Sequence, residues 1–173
     1  LAVISFPDQN LEAAIREAVG KPTGDIYEAE VEYLTSLYAS QRGIVDLTGL
    51  EHATSLSQLY LDYNQITDIS PLASLSSLTD LYLGWNQVGD MSPLCGLTSL
   101  THLDLHSNPI GNISALANLT SLTFLRLDSN QIGDLSPLAN LSSLTDLYLG
   151  CNQIGDTSPL GRLNSLTNLD LHS

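Results

Sequence analysis

Asparagine recurs every 22 residues, at Asn64, Asn86, Asn108, Asn130 and Asn152, each time inside a near-copy of one phrase. The copies read LYLDYNQITDISPL from Leu59, LYLGWNQVGDMSPL from Leu81, LDLHSNPIGNISAL from Leu103, LRLDSNQIGDLSPL from Leu125 and LYLGCNQIGDTSPL from Leu147. Leucine columns keep the same step, beginning at Leu56, Leu59, Leu61, Leu72 and Leu75. Seven to eight apolar positions per 22-residue unit cannot close a core within that unit. They can when units stack and each covers the next, so the repeat demands a solenoid.

One unit is legible in physical terms. In LTDLYLGWN, Leu81 and Leu83 alternate with polar or outward positions, which marks a short strand with one buried face. Each strand is reached by a full circuit of the coil, so neighbouring strands run parallel. Asn86 follows where the chain turns inward, and its amide has the donors and acceptor to satisfy backbone groups of a buried turn. The asparagine column is therefore a structural ladder rather than a ligand site. In the return arm GDMSPLCGL, Ser92 is placed to cap a helical turn and Pro93 to open it. The few residues left before the next strand suit a 3₁₀ turn better than an α-helix.

The pattern LxxLxxLxLxxNxIxDIxPLxxLxx holds from Leu56 to Leu166 and resembles the 22-residue leucine-rich repeat of internalin-like bacterial proteins. The leading segment FPDQNLEAAIREAVGKPTGDIYEAEVEYL is similar to the helical cap that precedes such repeats. The resemblance implies an α/β solenoid, a right-handed superhelix with a parallel β-sheet on the concave face and short 3₁₀ turns on the convex face. It implies too that the concave sheet binds another protein, and that the protein is secreted or displayed on a cell surface.

A cap also follows from the physics, because the apolar end of the first coil needs covering. Asp8 is placed to cap a helix with Leu11, Ala14, Ile15, Ala18 and Val19 on one side, ended by Gly20 and Pro22. A second short helix is expected from about Tyr27 to Tyr33. The predicted organisation is a cap over residues 1–34 and an array over residues 35–173. The array opens with a degenerate unit in which Arg42 takes the asparagine position and Ala39 a leucine position. Five full units follow from about residue 56, and the last unit is cut short.

Nineteen acidic residues against five basic ones leave a net charge of −14 and a sequence pI near 4.1. Such a field repels phosphate backbones and anionic lipid, so nucleic acid and membrane insertion are not expected. Function should lie in the letters that vary. The outward strand positions form columns. One is Tyr38, Tyr60, Tyr82, Asp104, Arg126, Tyr148 and Asp170, and its neighbour includes Asp80, His102, Phe124 and Asp146. Toward the asparagines lie Asp62, Gly84, His106 and Asp128, then Tyr63, Trp85, Ser107, Ser129 and Cys151. Exposed tyrosine and tryptophan dominate binding hot spots. The predicted partner-binding set is Tyr38, Tyr60, Tyr63, Tyr82, Trp85, His102, Asp104, His106, Phe124, Arg126 and Tyr148.

Other chemistry competes for these residues. His102, Asp104, His106 and Asp128 contain zinc-ligand types, but nothing in the sequence supplies their supporting partners, and no metal or cofactor is predicted. Asp46, Asp68, Asp90, Asp134 and Asp156 precede helical turns, where carboxylates cap free N–H groups more readily than they gather calcium. The sequons at Asn112, Asn118 and Asn140 arise readily in repeats rich in Asn, Ser and Thr. No phosphate loop or nucleophile elbow is present, and an open sheet does not exclude water, so an enzyme is not expected. A rigid spacer is the rival to a binding module, although a spacer needs no aromatic patch.

Copies three units apart are most alike: SSLTDLYLGWNQVGDMSPL from Ser76 returns as SSLTDLYLGCNQIGDTSPL from Ser142, a 66-residue superperiod. Cys95 takes the place of Ala73, Ala117 and Ala139 and is expected inside the return arm, with Cys151 on the strand side and more reactive. The ladder would put its next asparagine just past Ser173, so the chain reads as part of a longer array, self-associating through an uncapped C-terminal coil.

Overall fold

The computed structural model describes residues 2–172. Strand β1 (Val3–Ile4) pairs antiparallel with β2 (Ile26–Tyr27), and helix α1 (Gln9–Val19) lies between them in sequence. The single turn α2 (Glu28–Val31) is shorter than the segment expected. Seven strands then form one parallel sheet in sequence order: β3 (Ser36–Tyr38), β4 (Gln58–Tyr60), β5 (Asp80–Tyr82), β6 (His102–Asp104), β7 (Phe124–Arg126), β8 (Asp146–Tyr148) and β9 (Asn168–Asp170). Register follows the repeat, with Leu37 opposite Leu59, Leu59 opposite Leu81, and so on to Leu169. Between strands the chain returns through 3₁₀ turns such as Ser92–Leu94 and Ser136–Leu138. No helix among the described residues is long and apolar enough to cross a membrane.

The core is a continuous stack. Leu59, Leu81, Leu103, Leu125 and Leu147 are fully buried, as are the return-arm residues Ile66, Val88, Ile110 and Ile132. Asn86 shows how the polar ladder works. Its amide nitrogen donates to Leu61 O and Leu83 O, both at 3.0 Å, and its carbonyl accepts the Ile66 N–H at 3.0 Å. Each asparagine thus serves its own coil and the one before it. The residue preceding each asparagine is left-handed, including Tyr63 (φ 57°), Trp85 (φ 54°) and Cys151 (φ 54°). That twist costs a non-glycine residue about 1–2 kcal/mol and is held by the bonds on either side of it. A second ladder runs where the strands begin, as Thr79 Oγ1 donates to Ser57 O, Thr101 to Thr79 O and Thr123 to Thr101 O.

The cap is tied on by charge. Asp8 accepts from Asn10 N–H and Leu11 N–H at the start of α1, and from Val45 N–H and Asp46 N–H of the first coil. Burial pushes its carboxyl up, but these four donors outweigh that and hold it below its ordinary range. Arg42, in the asparagine position, turns its guanidinium to Glu17 of α1 at 2.6 and 3.1 Å, and Asn64 Oδ1 accepts the Arg42 N–H. Leu11, Ala14 and Ile15 are buried, whereas Ala18 is exposed and lines a cleft of about 470 Å³ beside Tyr33, Tyr38 and Arg42.

Two sequence expectations are corrected. Ser92 is not the cap of its turn: it lies within the turn, and Asp90 accepts both its N–H (2.8 Å) and its hydroxyl (3.0 Å). Asp68, Asp134 and Asp156 do the same for Ser70, Ser136 and Ser158, and Asn112 accepts the Ser114 N–H with an amide in the same role. Cys95 is not packed inside the return arm. It closes a 3₁₀ turn with its side chain outward, so both cysteines are free and exposed.

Candidate binding face

Strand alternation sends the variable columns to one side of the sheet, where successive coils set like residues side by side. Tyr38, Tyr60 and Tyr82 form one stack, with ring centroids 4.8 Å apart and planes within 11°. Tyr63 and Trp85, carried outward by their left-handed turns, form a second, with centroids 5.8 Å apart and planes 10° apart. His102, Phe124 and Tyr148 make a third group at 5.9 and 5.6 Å. Trp85 is 52% exposed and Tyr63 51%, an unusual display for such large rings. Burial, and then the carboxylate of Asp80, push the Tyr82 phenol up, so it stays neutral.

Between the aromatic groups the face is sunken and charged. Asp104 and His106 are buried, with His106 Nδ1 on Asp104 Oδ1 at 2.6 Å. They form the floor of the face rather than its outer surface. Gly84 makes the room: a Cβ there would stand 2.2 Å from the His106 ring and 3.1 Å from Asp62 Oδ1. Asp62 accepts the Gly84 N–H at 2.9 Å, yet burial and then the nearby Asp104 charge leave its carboxyl above the ordinary range. Arg126 lies 2.7 Å from Asp128 and 3.7 Å from Asp104. A hollow of about 500 Å³ opens beside Phe124, Arg126, Tyr148, Cys151 and His172.

The four residues of zinc-ligand type each have another partner. His102 Nδ1 lies 3.5 Å from Asp80, His106 holds Asp104, and Asp128 holds Arg126. Among the described residues no three His, Cys, Asp or Glu side chains are grouped to hold a metal ion. Sequence reasoning missed the threonine ladder, the left-handed column and the Gly84–His106 contact. The 22-residue spacing of Thr79, Thr101, Thr123 and Thr145 was the available signal for the first.

A parallel-sheet solenoid with 22-residue units, an asparagine ladder and a helical cap defines a class of repeat protein. The family description for leucine-rich repeats in two copies matches residues 54–96, 76–118, 98–140 and 120–162. An internalin from Listeria monocytogenes, InlF, superposes with a TM-score of 0.79 at 36% identity, over 95% of this chain and 56% of that one. Internalin C2 from the same organism superposes with a TM-score of 0.76 at 36% identity, covering 99% of this chain and 88% of that one. A leucine-rich repeat protein from Leptospira interrogans gives 0.79 at 25% identity, over 84% and 39%. No curated protein sequence matches the chain significantly. The chain belongs to the leucine-rich repeat family and is an internalin-like bacterial member of it. It spans little more than half the length of the InlF structure.

Proposed function

We propose that this chain is a non-catalytic protein-binding module of a secreted or surface protein, using the concave sheet face to recognise a protein partner. Leucine-rich repeat proteins of the internalin type are protein-interaction modules, which supports the general role. The observation that carries the finer reading is the pair of aromatic stacks, Tyr38–Tyr60–Tyr82 and Tyr63–Trp85, held outward on one rigid sheet. Their rings are pre-ordered by stacking, so little side-chain entropy is lost when a partner covers them.

The test is selection of binders from a display library of folded domains, with wild type as bait and a Tyr60→Ser, Tyr82→Ser, Trp85→Ser variant as counter-bait. Binders that hold wild type and lose the variant, while circular dichroism shows both folded, support the reading. Binders indifferent to the triple change, or none at all, would leave the molecule a spacer.

A further inference from the structure

Both aromatic stacks stop at β5. Tyr82 ends one and Trp85 ends the other, and the next coil puts Asp104 and Ser107 in those columns. Each terminal ring has one face covered by its stack and the other turned toward β6. There His106 meets Trp85 only edge-on, at 6.5 Å. The carboxylates around this step are Asp62, Asp80, Asp104 and Asp128. Arg126 is the only lysine or arginine on the strands, and it is committed to Asp128 and Asp104. His102 and His106, against Asp80 and Asp104, and the phenols of Tyr60, Tyr63 and Tyr82 complete the ionisable groups here. Across the outward positions of β4 to β9 and the residues just past them, six aspartates (Asp62, Asp80, Asp104, Asp128, Asp146, Asp170) stand against that one arginine.

Ring faces attract cations through their quadrupole, and more strongly once water is excluded. A neutral partner covering this step would strip water from the carboxylates without replacing it. A cationic one would meet the outer face of Tyr82, the part of the Trp85 ring that His106 leaves exposed, and the surplus negative charge. We propose that the partner presents a basic segment whose Arg or Lys side chains sit over β6, against the outer faces of Tyr82 and Trp85 and beside Asp80 and Asp104. This rests on the concave-face reading above and names its chemistry. The raised Asp62 carboxyl agrees with it, since burial and Asp104 leave that group short of positive charge.

Trp85 is the only tryptophan, so its emission reports on this step directly. The probes are a short synthetic peptide with arginine alternating with glycine and tyrosine, and its citrulline counterpart, which keeps the shape and removes the charge. The arginine peptide should shift Trp85 emission, more weakly as salt rises, and bind about tenfold tighter than the citrulline peptide. Asp80→Asn should erase most of that margin. Asp90→Asn with Asp134→Asn, which removes two convex charges while an amide still caps as Asn112 does, should leave it intact. Equal binding of the two peptides, or equal loss in the convex variant, would overturn the proposal. If library binders that need Tyr82 and Trp85 prove neutral or acidic, the basic partner is excluded and the concave-face reading survives.

Discussion

Asn108 Oδ1 accepts the N–H of Val88, 20 residues earlier and one coil back, at 2.9 Å. The same amide donates to Leu83 O at 3.0 Å, Leu105 O at 3.1 Å and His106 O at 3.2 Å, so one buried side chain serves four backbone groups of two coils. Asn108→Leu leaves those groups dry and unpaired, and should cost roughly 3 kcal/mol or more. Urea unfolding would measure it. A loss under about 1 kcal/mol would mean that the ladder is replaceable by packing alone.

Gly84→Ala should be costly for a different reason. The new Cβ meets the His106 ring at 2.2 Å, so His106 must leave its place against Asp104. Overpacking of this kind costs about 1–3 kcal/mol. Trp85 emission should change too, because His106 lies against that ring. Gly96→Ala, with nothing within 4 Å of a new Cβ, is the matched control and should be near neutral.

Acid should loosen the convex side and the cap together. At Asp90, Asp134 and Asp156 the backbone N–H and then the hydroxyl of the following serine hold the carboxyl below its ordinary range, and at Asp68 the Ser70 hydroxyl leads. Asp8 is lowered as well. Because these folded values are depressed, their stabilisation is present above the unfolded value of roughly 3.9 and is lost as pH falls through the folded values. Asp62 runs the other way: its raised value favours the fold below the unfolded value and loses that advantage as pH rises through the folded one. Melting temperature should therefore drop on acidification below about pH 4, and Asp62→Asn should stabilise the fold at neutral pH. Thermal melts across the acidic range, with and without Asp62→Asn, would check both signs.

Both thiols should react with a reagent in the native state, since Cys95 and Cys151 are exposed. A chromogenic disulfide reagent should count two rapidly reacting groups before denaturant is added. One fast and one protected thiol would return Cys95 to the interior.

The 22-residue period determined the parallel strands, the inward leucines, the asparagine ladder and which columns share the outward face of the sheet, because every coil must present the same face to the next. Period fixes direction, not depth. That Asp104 and His106 sink into the floor depends on a neighbour in the adjacent coil, Gly84, having no side chain to hold them up. That Cys95 turns outward depends on how its 3₁₀ turn closes, whereas the aspartate caps were legible in the sequence, since a carboxylate two residues back reaches both the N–H and the hydroxyl of Ser92. The left-handed twist that lifts Tyr63 and Trp85 into a second stack is likewise set by the bonds of the coils on either side, which local sequence preference for Tyr or Trp does not announce. Periodicity settled what each residue faces, and only contact between unlike coils decided how far each one reaches.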